Sequence, residues 1–244
     1  MARIAVIGGT GLNAIAAAVQ PQGGVDTPWG KASAALQRGT VGTHEVFFLA
    51  RHGQPHRIAP HAINYRANLW LLKEAGVEAV LAINAVGGIH RAFGPGVLVV
   101  PDQLVDYTWG RESTYSDLDK LFHVDFSYPY DAAWRARLFA AAAPDDVIHD
   151  FGVYACTQGP RLESAAEIDR LERDGCDLVG MTAMPEATLA RELELPYAAL
   201  CLVVNAGAGR GNGLIEHHEI EAVVASGMRR VEALLSRAIT AYPG

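Results

Sequence analysis

Four short polar clusters in the sequence are built from residue types that hold an anion. Gly8-Gly9-Thr10-Gly11 sets small residues, whose backbone N–H groups can approach a phosphate, beside a hydroxyl donor. Arg51-His52-Gly53 brings a guanidinium and an imidazole to the same place. Asn84-Ala85-Val86-Gly87-Gly88 offers backbone amides and one amide side chain. Gly180-Met181-Thr182 puts a hydroxyl just ahead of Pro185-Glu186, a helix start whose free N–H groups also favour an anion. Each cluster alone also reads as ordinary structure: a tight turn, a surface ion pair or a helix cap. Gly9, Gly11 and Ala14 satisfy the GxGxxA pattern of dinucleotide sites as well, which keeps a nicotinamide-dependent oxidoreductase as a remote alternative. Against it, residues 21–26 lack a second strand ending in an acid. His52, His56 and His61 could bind a metal only if aligned, and Gly53, Pro55 and Pro60 interrupt any helix that would align them. The chain has no GxSxG elbow, no P-loop lysine motif and no paired His/Cys spacing. The bound anion is then itself the candidate nucleophile.

These clusters need elements that deliver them to one place. Apolar, strand-prone runs at residues 3–7, 46–50, 77–83, 97–105, 177–181 and 197–204 alternate with helix-patterned segments, the mark of a sheet covered by helices. Leu71-Leu72-Lys73-Glu74-Ala75-Gly76 and Leu171-Glu172-Arg173-Asp174-Gly175 end helical patterns with a glycine and lead into strands. Further helices are expected at 185–193 and 219–239, and residues 106–130 read as a long aromatic-rich loop. All four clusters then fall at the ends of strands, where α/β proteins bind ligands, and look like one phosphate-sized polar site.

Composition bounds the partners. The 244 residues are 50% hydrophobic and 19% charged, enough for one full core, so a single domain over 1–244 is expected. Twenty Lys and Arg against 27 Asp and Glu give a formal charge of −7 with no basic run, which argues against nucleic acid. No apolar stretch approaches the ~18 residues of a membrane span, and the N-terminal residues do not read as a signal peptide, so a cytoplasmic protein is expected. Cys156, Cys176 and Cys201 form no CxxC pair and read as buried thiols.

Taken in order, several segments resemble the trimeric purine nucleoside phosphorylase and methylthioadenosine phosphorylase family over essentially the whole chain. They are Gly8-Gly9-Thr10-Gly11-Leu12, Arg51-His52-Gly53, Asn64-Tyr65-Arg66-Ala67-Asn68, Asn84-Ala85-Val86-Gly87-Gly88, Gln158-Gly159-Pro160-Arg161-Leu162-Glu163 and Met181-Thr182-Ala183-Met184-Pro185-Glu186. The resemblance implies an α/β domain with a mixed, barrel-like central sheet flanked by helices, assembled as a homotrimer. It implies attack of inorganic phosphate, a co-substrate, on C1′ of a purine nucleoside, with no metal or organic cofactor. Thr10, Arg51, His52, Asn84, Ala85 and Thr182 would hold the phosphate, with Arg51, His52 and Asn205 as the catalytic residues. Met181, Leu162, Glu163, Val179, Asn205, Ala206 and Gly207 would line the nucleoside site.

Specificity is implied in the same way. Glu163 corresponds to the carboxylate that 6-oxopurine enzymes place against N1–H, a proton adenine lacks, so a 6-oxopurine is favoured over adenine. Asn205 stands where the methylthioadenosine enzymes carry an aspartate. His123 falls where the methylthio enzymes bring a histidine from the neighbouring subunit. His217 and His218 lie near the position where other 6-oxopurine enzymes use a histidine on the 5′-hydroxyl, and at most one of two adjacent helical residues can face a site. The expected substrate is 5′-methylthioinosine, with inosine or guanosine as the alternative.

Overall fold

The computed structural model describes residues 1–9, 24–117, 119–211 and 213–243. Thr10, Gly11, Leu12 and Ala14 lie outside the described residues. The chain opens with β1 (Arg3–Gly8), a small ribbon of β2 (Asp26–Thr27) and β3 (Gly30–Lys31), then the hairpin β4 (Gln37–Val41) and β5 (His44–Ala50). Helix α1 (Tyr65–Glu74) leads into β6 (Ala79–Gly88), followed by β7 (Leu98–Val99) and β8 (Gln103–Asp106). After the 107–130 segment come α2 (Ala132–Ala140), β9 (Ile148–His149), β10 (Val153–Cys156) and α3 (Ala165–Arg173). The chain closes with β11 (Leu178–Gly180), α4 (Ala183–Glu192), β12 (Tyr197–Ala206) and α5 (His217–Thr240).

β6 is the hinge of the sheet. Its first half pairs in parallel with β1, its end pairs antiparallel with β11, and β12 runs parallel along its other edge. One parallel unit, β5-β1-β6-β12, therefore meets a second, β8-β10-β11, across the antiparallel β6/β11 contact. The sheet is mixed and wraps from β4 to β8, with β12, β7 and β9 branching from β6. Strands buried on both faces need continuous apolar sequence, and Ile4, Ala5, Val6 and Ile7 are all fully buried. Because side chains alternate along a strand, Ala5 and Ile7 join the core under α1 and α4, whereas Ile4 and Val6 join the core under α5. The helix starts are well capped: Asn64 accepts from the Ala67 N–H, and Ser164 and Glu167 form a reciprocal capping box on α3.

Several expected bounds shift. The 97–105 run splits into β7 and β8, with Pro101 in the gap, because proline has no N–H for the ladder. β4 and β10 had no clear apolar signal, β10 being only four residues long. The Asn84–Gly88 cluster does not close its strand but continues it, since Gly87 and Gly88 pair with β11 on one side and β12 on the other. Among the described residues of 107–130 there is neither helix nor strand, as its composition suggests. Among the described residues no helix is long and apolar enough to cross a membrane, and all three cysteines are free and buried.

Candidate active site

The ends of β1, β5, β11 and β12 and the middle of β6 meet at one cavity of about 270 Å³. Arg51, His52, Asn84, Ala85, Leu162, Glu163, Val179, Met181, Thr182, Asn205 and Gly207 all line it. Ala206 lines the adjoining cavity, which shares Val204, Asn205, Gly207, Ile215 and Ile220. Residues scattered over more than 150 positions of sequence are thus gathered around a space of ligand size.

Arg51 follows β5 and is almost fully buried. Its Nε donates to Glu186 Oε2 at 2.7 Å and Nη2 donates to Glu186 Oε1 at 2.8 Å, a bidentate pair. Nη1 donates to the Ile83 carbonyl at 3.0 Å and Nη2 to the Ile7 carbonyl at 3.4 Å, which leaves one Nη1 N–H for a ligand. Burial opposes the charge, but Glu186 outweighs it and the Arg51 pKa is raised. Tyr197 Oη also donates to Glu186 Oε1, at 2.9 Å, so the carboxylate is satisfied from two sides. Arg51 is therefore a rigid, charge-compensated donor rather than a free cation.

His52 presents a different character. A carbonyl only accepts, so the 2.8 Å contact of Nδ1 with the Ile58 oxygen means that Nδ1 carries the proton. Burial, followed by the charges of Arg51 and His56, lowers the His52 pKa to about 4, against the opposing Ile58 hydrogen bond. The neutral ring keeps Nε2 as an acceptor, and it stacks on His56 with centroids 4.3 Å apart. Asn84 Nδ2 donates to Thr182 Oγ1 at 2.8 Å, which frees the Thr182 hydroxyl proton for another acceptor. Among the described residues the buried Asn84 Oδ1 has no hydrogen-bond partner. Thr182 stands at the N-cap of α4, where the Met184 N–H donates to Cys156 Sγ at 3.2 Å and Pro185 has no N–H.

At the opposite end of the cavity Thr157 Oγ1 donates to Glu163 Oε1 at 2.7 Å and orients the carboxylate. Asn205 Nδ2 donates to the Ala206 carbonyl at 2.7 Å, fixing the amide plane and leaving Oδ1 and one N–H available. Gly159, with φ at 62°, packs so closely that a Cβ would lie 2.5 Å from Met181 Sδ. The third wall is apolar: Ile220, Val224 and Met228 of α5 line the cavity together with Ile215. Their spacing of four puts them on one helix face, a signal present in the sequence that the histidine pair obscured. His217 and His218 are not among the residues that line this cavity. Both are exposed in the first turn of α5, and His217 Nε2 lies 3.3 Å from Glu221 toward solvent. His123 is exposed in the 107–130 segment and is not part of this chain's cavity. Among the described residues no group of three or more His, Cys, Asp or Glu side chains is arranged to hold a metal.

The chain is similar to known proteins over nearly its whole length. The Phosphorylase superfamily profile matches residues 3–240. A probable S-methyl-5′-thioinosine phosphorylase of Pseudomonas syringae pv. tomato is 56% identical over 97% of this chain and 98% of its own. A 6-oxopurine nucleoside phosphorylase of Pyrococcus furiosus is 41% identical over 100% of this chain and 94% of its own. Among solved structures, methylthioadenosine phosphorylase from Schistosoma mansoni in complex with adenine superposes with a TM-score of 0.90 at 31% identity, covering 98% of this chain and 91% of that one. A match this complete, on a sheet of the same topology, means that the chain belongs to the Phosphorylase superfamily and to the nucleoside phosphorylases within it.

Proposed function

We propose that the protein catalyses phosphorolysis of 5′-methylthioinosine, yielding hypoxanthine and 5-methylthioribose 1-phosphate. The observation that carries this reading is the apolar α5 wall of Ile220, Val224 and Met228, which suits a methylthio group and offers nothing to a 5′-hydroxyl. Glu163, an acceptor held by Thr157, supports a base with a proton on N1. The similar proteins of Pseudomonas syringae and Pyrococcus furiosus are named for 6-oxopurine substrates, which supports the same base class.

In this reading the Thr182 hydroxyl, the backbone at Ala85, the remaining Arg51 N–H and Thr10 donate to phosphate, and neutral His52 accepts from a phosphate O–H through Nε2. A phosphate oxygen forms the bond to C1′ as the C1′–N9 bond breaks, and the electron pair leaves with the purine. Asn205 serves N7 as that charge develops, donating its free N–H to the anionic base and accepting through Oδ1 once N7 is protonated. Met181 packs beneath the ribose. Catalysis is then positioning and preorganised electrostatics rather than covalent chemistry by the protein. By resemblance the protein is a cytoplasmic homotrimer with His123 reaching the neighbouring subunit's site, and sedimentation of the purified protein tests the assembly.

The test is base release with and without inorganic phosphate, comparing 5′-methylthioinosine, inosine, guanosine and 5′-methylthioadenosine by kcat/KM. Phosphate-dependent cleavage led by 5′-methylthioinosine is expected. A preference for inosine or guanosine overturns the 5′ assignment, and methylthioadenosine in the lead overturns the base assignment.

A further inference from the structure

Arg111 lies in the 107–130 segment, and its guanidinium sits between the two strand ends that carry opposite ends of the cavity. Nη1 donates to the carbonyls of Met181 at 2.9 Å and Met184 at 2.6 Å, which flank Thr182. Nη2 donates to the carbonyls of Thr157 at 3.2 Å and Gln158 at 2.9 Å, and Nε to Gln158 Oε1 at 3.1 Å. The group also stacks over Tyr65, 5.6 Å from the ring centre. Among the described residues no carboxylate lies within ion-pair distance of it, and this half-buried cation is held by four backbone carbonyls, by Gln158 Oε1 and by Tyr65 Oη, to which Nη1 donates at 3.4 Å. That is an unusual use of an arginine. All three of its nitrogens meet acceptors in the segments that follow β10 and β11, and four of those acceptors are backbone carbonyls.

We infer that Arg111 is a positioning residue, setting the separation between the phosphate end and the base end of the cavity by tying the β11 end to the β10 end. The β11 end bears Met181 and Thr182. The β10 end bears Thr157, whose hydroxyl holds Glu163, and Gly159, which packs on Met181. The reaction joins a nucleophile held at one end to a sugar whose base is held at the other, so its rate depends on that distance. A misplacement of about 1 Å costs on the order of 100-fold in such a reaction. The inference rests on the proposed reading of the two cavity ends.

A second anchor of the same segment supplies the control. Glu192 accepts from Thr114 Oγ1 at 2.7 Å and from the Tyr115 N–H at 2.6 Å, and it touches neither strand end. In R111K and R111M, kcat is expected to fall about 10- to 100-fold while KM for phosphate and for nucleoside each change by less than about threefold. R111K keeps the charge but lacks the fork, so it separates geometry from electrostatics. E192Q is expected to lower the Tm and leave kcat within about twofold. Wild-type kcat in R111K, a loss confined to the phosphate KM of R111M, or an equal kcat loss in E192Q overturns the inference. Amide hydrogen exchange gives a readout independent of turnover: residues 157–163 and 181–186 should lose protection together in R111M. Loss confined to residues 107–116 would overturn the role of Arg111. If the wild-type protein releases no base with phosphate, the functional reading fails, and the exchange result alone decides the place of Arg111.

Discussion

The part of the cavity proposed to hold phosphate and the part proposed to hold the sugar, the phosphate end and the sugar end of that reading, are built on opposite principles. The phosphate end is buried and polar, with Arg51, Asn84 and Thr182 locked by hydrogen bonds before any ligand arrives. The sugar end is an apolar helix face, Ile220, Val224 and Met228, with no polar group to orient. Electrostatic preorganisation is worth most where charge is handled, and a low-dielectric wall suffices where a thioether is to be sheltered. In the proposed reading the hydrogen-bonded end serves the chemistry and the apolar face of α5 serves the choice of sugar.

That contrast breaks most visibly at the buried ion pair. E186Q leaves Arg51 as an uncompensated buried cation, and a loss of about 3–5 kcal/mol in unfolding free energy is expected by denaturant titration. A loss below about 1 kcal/mol would mean that the pair is not needed to hold Arg51. Next in size, T182V removes the hydroxyl that Asn84 orients, and kcat/KM for phosphate should fall roughly 10- to 100-fold, the range of one hydrogen bond to a charged group. Steady-state kinetics at varied phosphate reads this, and an unchanged value would remove Thr182 from the anion site.

At the sugar end V224T puts a hydroxyl into the apolar wall. The ratio of kcat/KM for 5′-methylthioinosine to that for inosine should drop by about 10-fold, with the phosphate KM unmoved. A smaller effect comes from His52. Its folded-state pKa, lowered to about 4, lies below the unfolded value near 6.5, so the unfolded chain binds the proton first. The stability this contributes is complete above about pH 6.5 and is lost as pH falls toward 4. H52Q should flatten the part of the Tm-against-pH curve between those values. The smallest effect is expected at H217A and H218A, exposed on the first turn of α5, where activity on either nucleoside should stay within about twofold.

Most of the fold was legible because strand burial leaves a simple record. β1, β5, β6 and β12 are continuous apolar runs, and α5 carries one apolar stripe. β10 escaped notice because a four-residue strand with a tyrosine and a cysteine has no period to read. The anion-binding clusters were legible as types: glycines, hydroxyls and an arginine at strand ends. Their partners were not. Nothing local in the sequence links Arg51 to Glu186, 135 residues away, or says that the acid and two carbonyls would take four of the guanidinium's N–H donors.

The sequence by itself determined that this chain forms an α/β sheet, the course of its longer strands and, through its motifs, the family it resembles. Those properties follow from burial period and local backbone chemistry, which are written in neighbouring residues. Tertiary structure alone decided which atoms face the cavity. His52 keeps Nε2 as an acceptor because its Nδ1–H donates to the Ile58 carbonyl, and the histidines of α5 lie outward because the helix offers Ile220, Val224 and Met228 to the cavity instead. Arg111 fell between two strand ends only once β10 and β11 had paired. Direction and distance between segments remote in sequence are set by packing, and the charge and donor state of a side chain depend on what packing places against it.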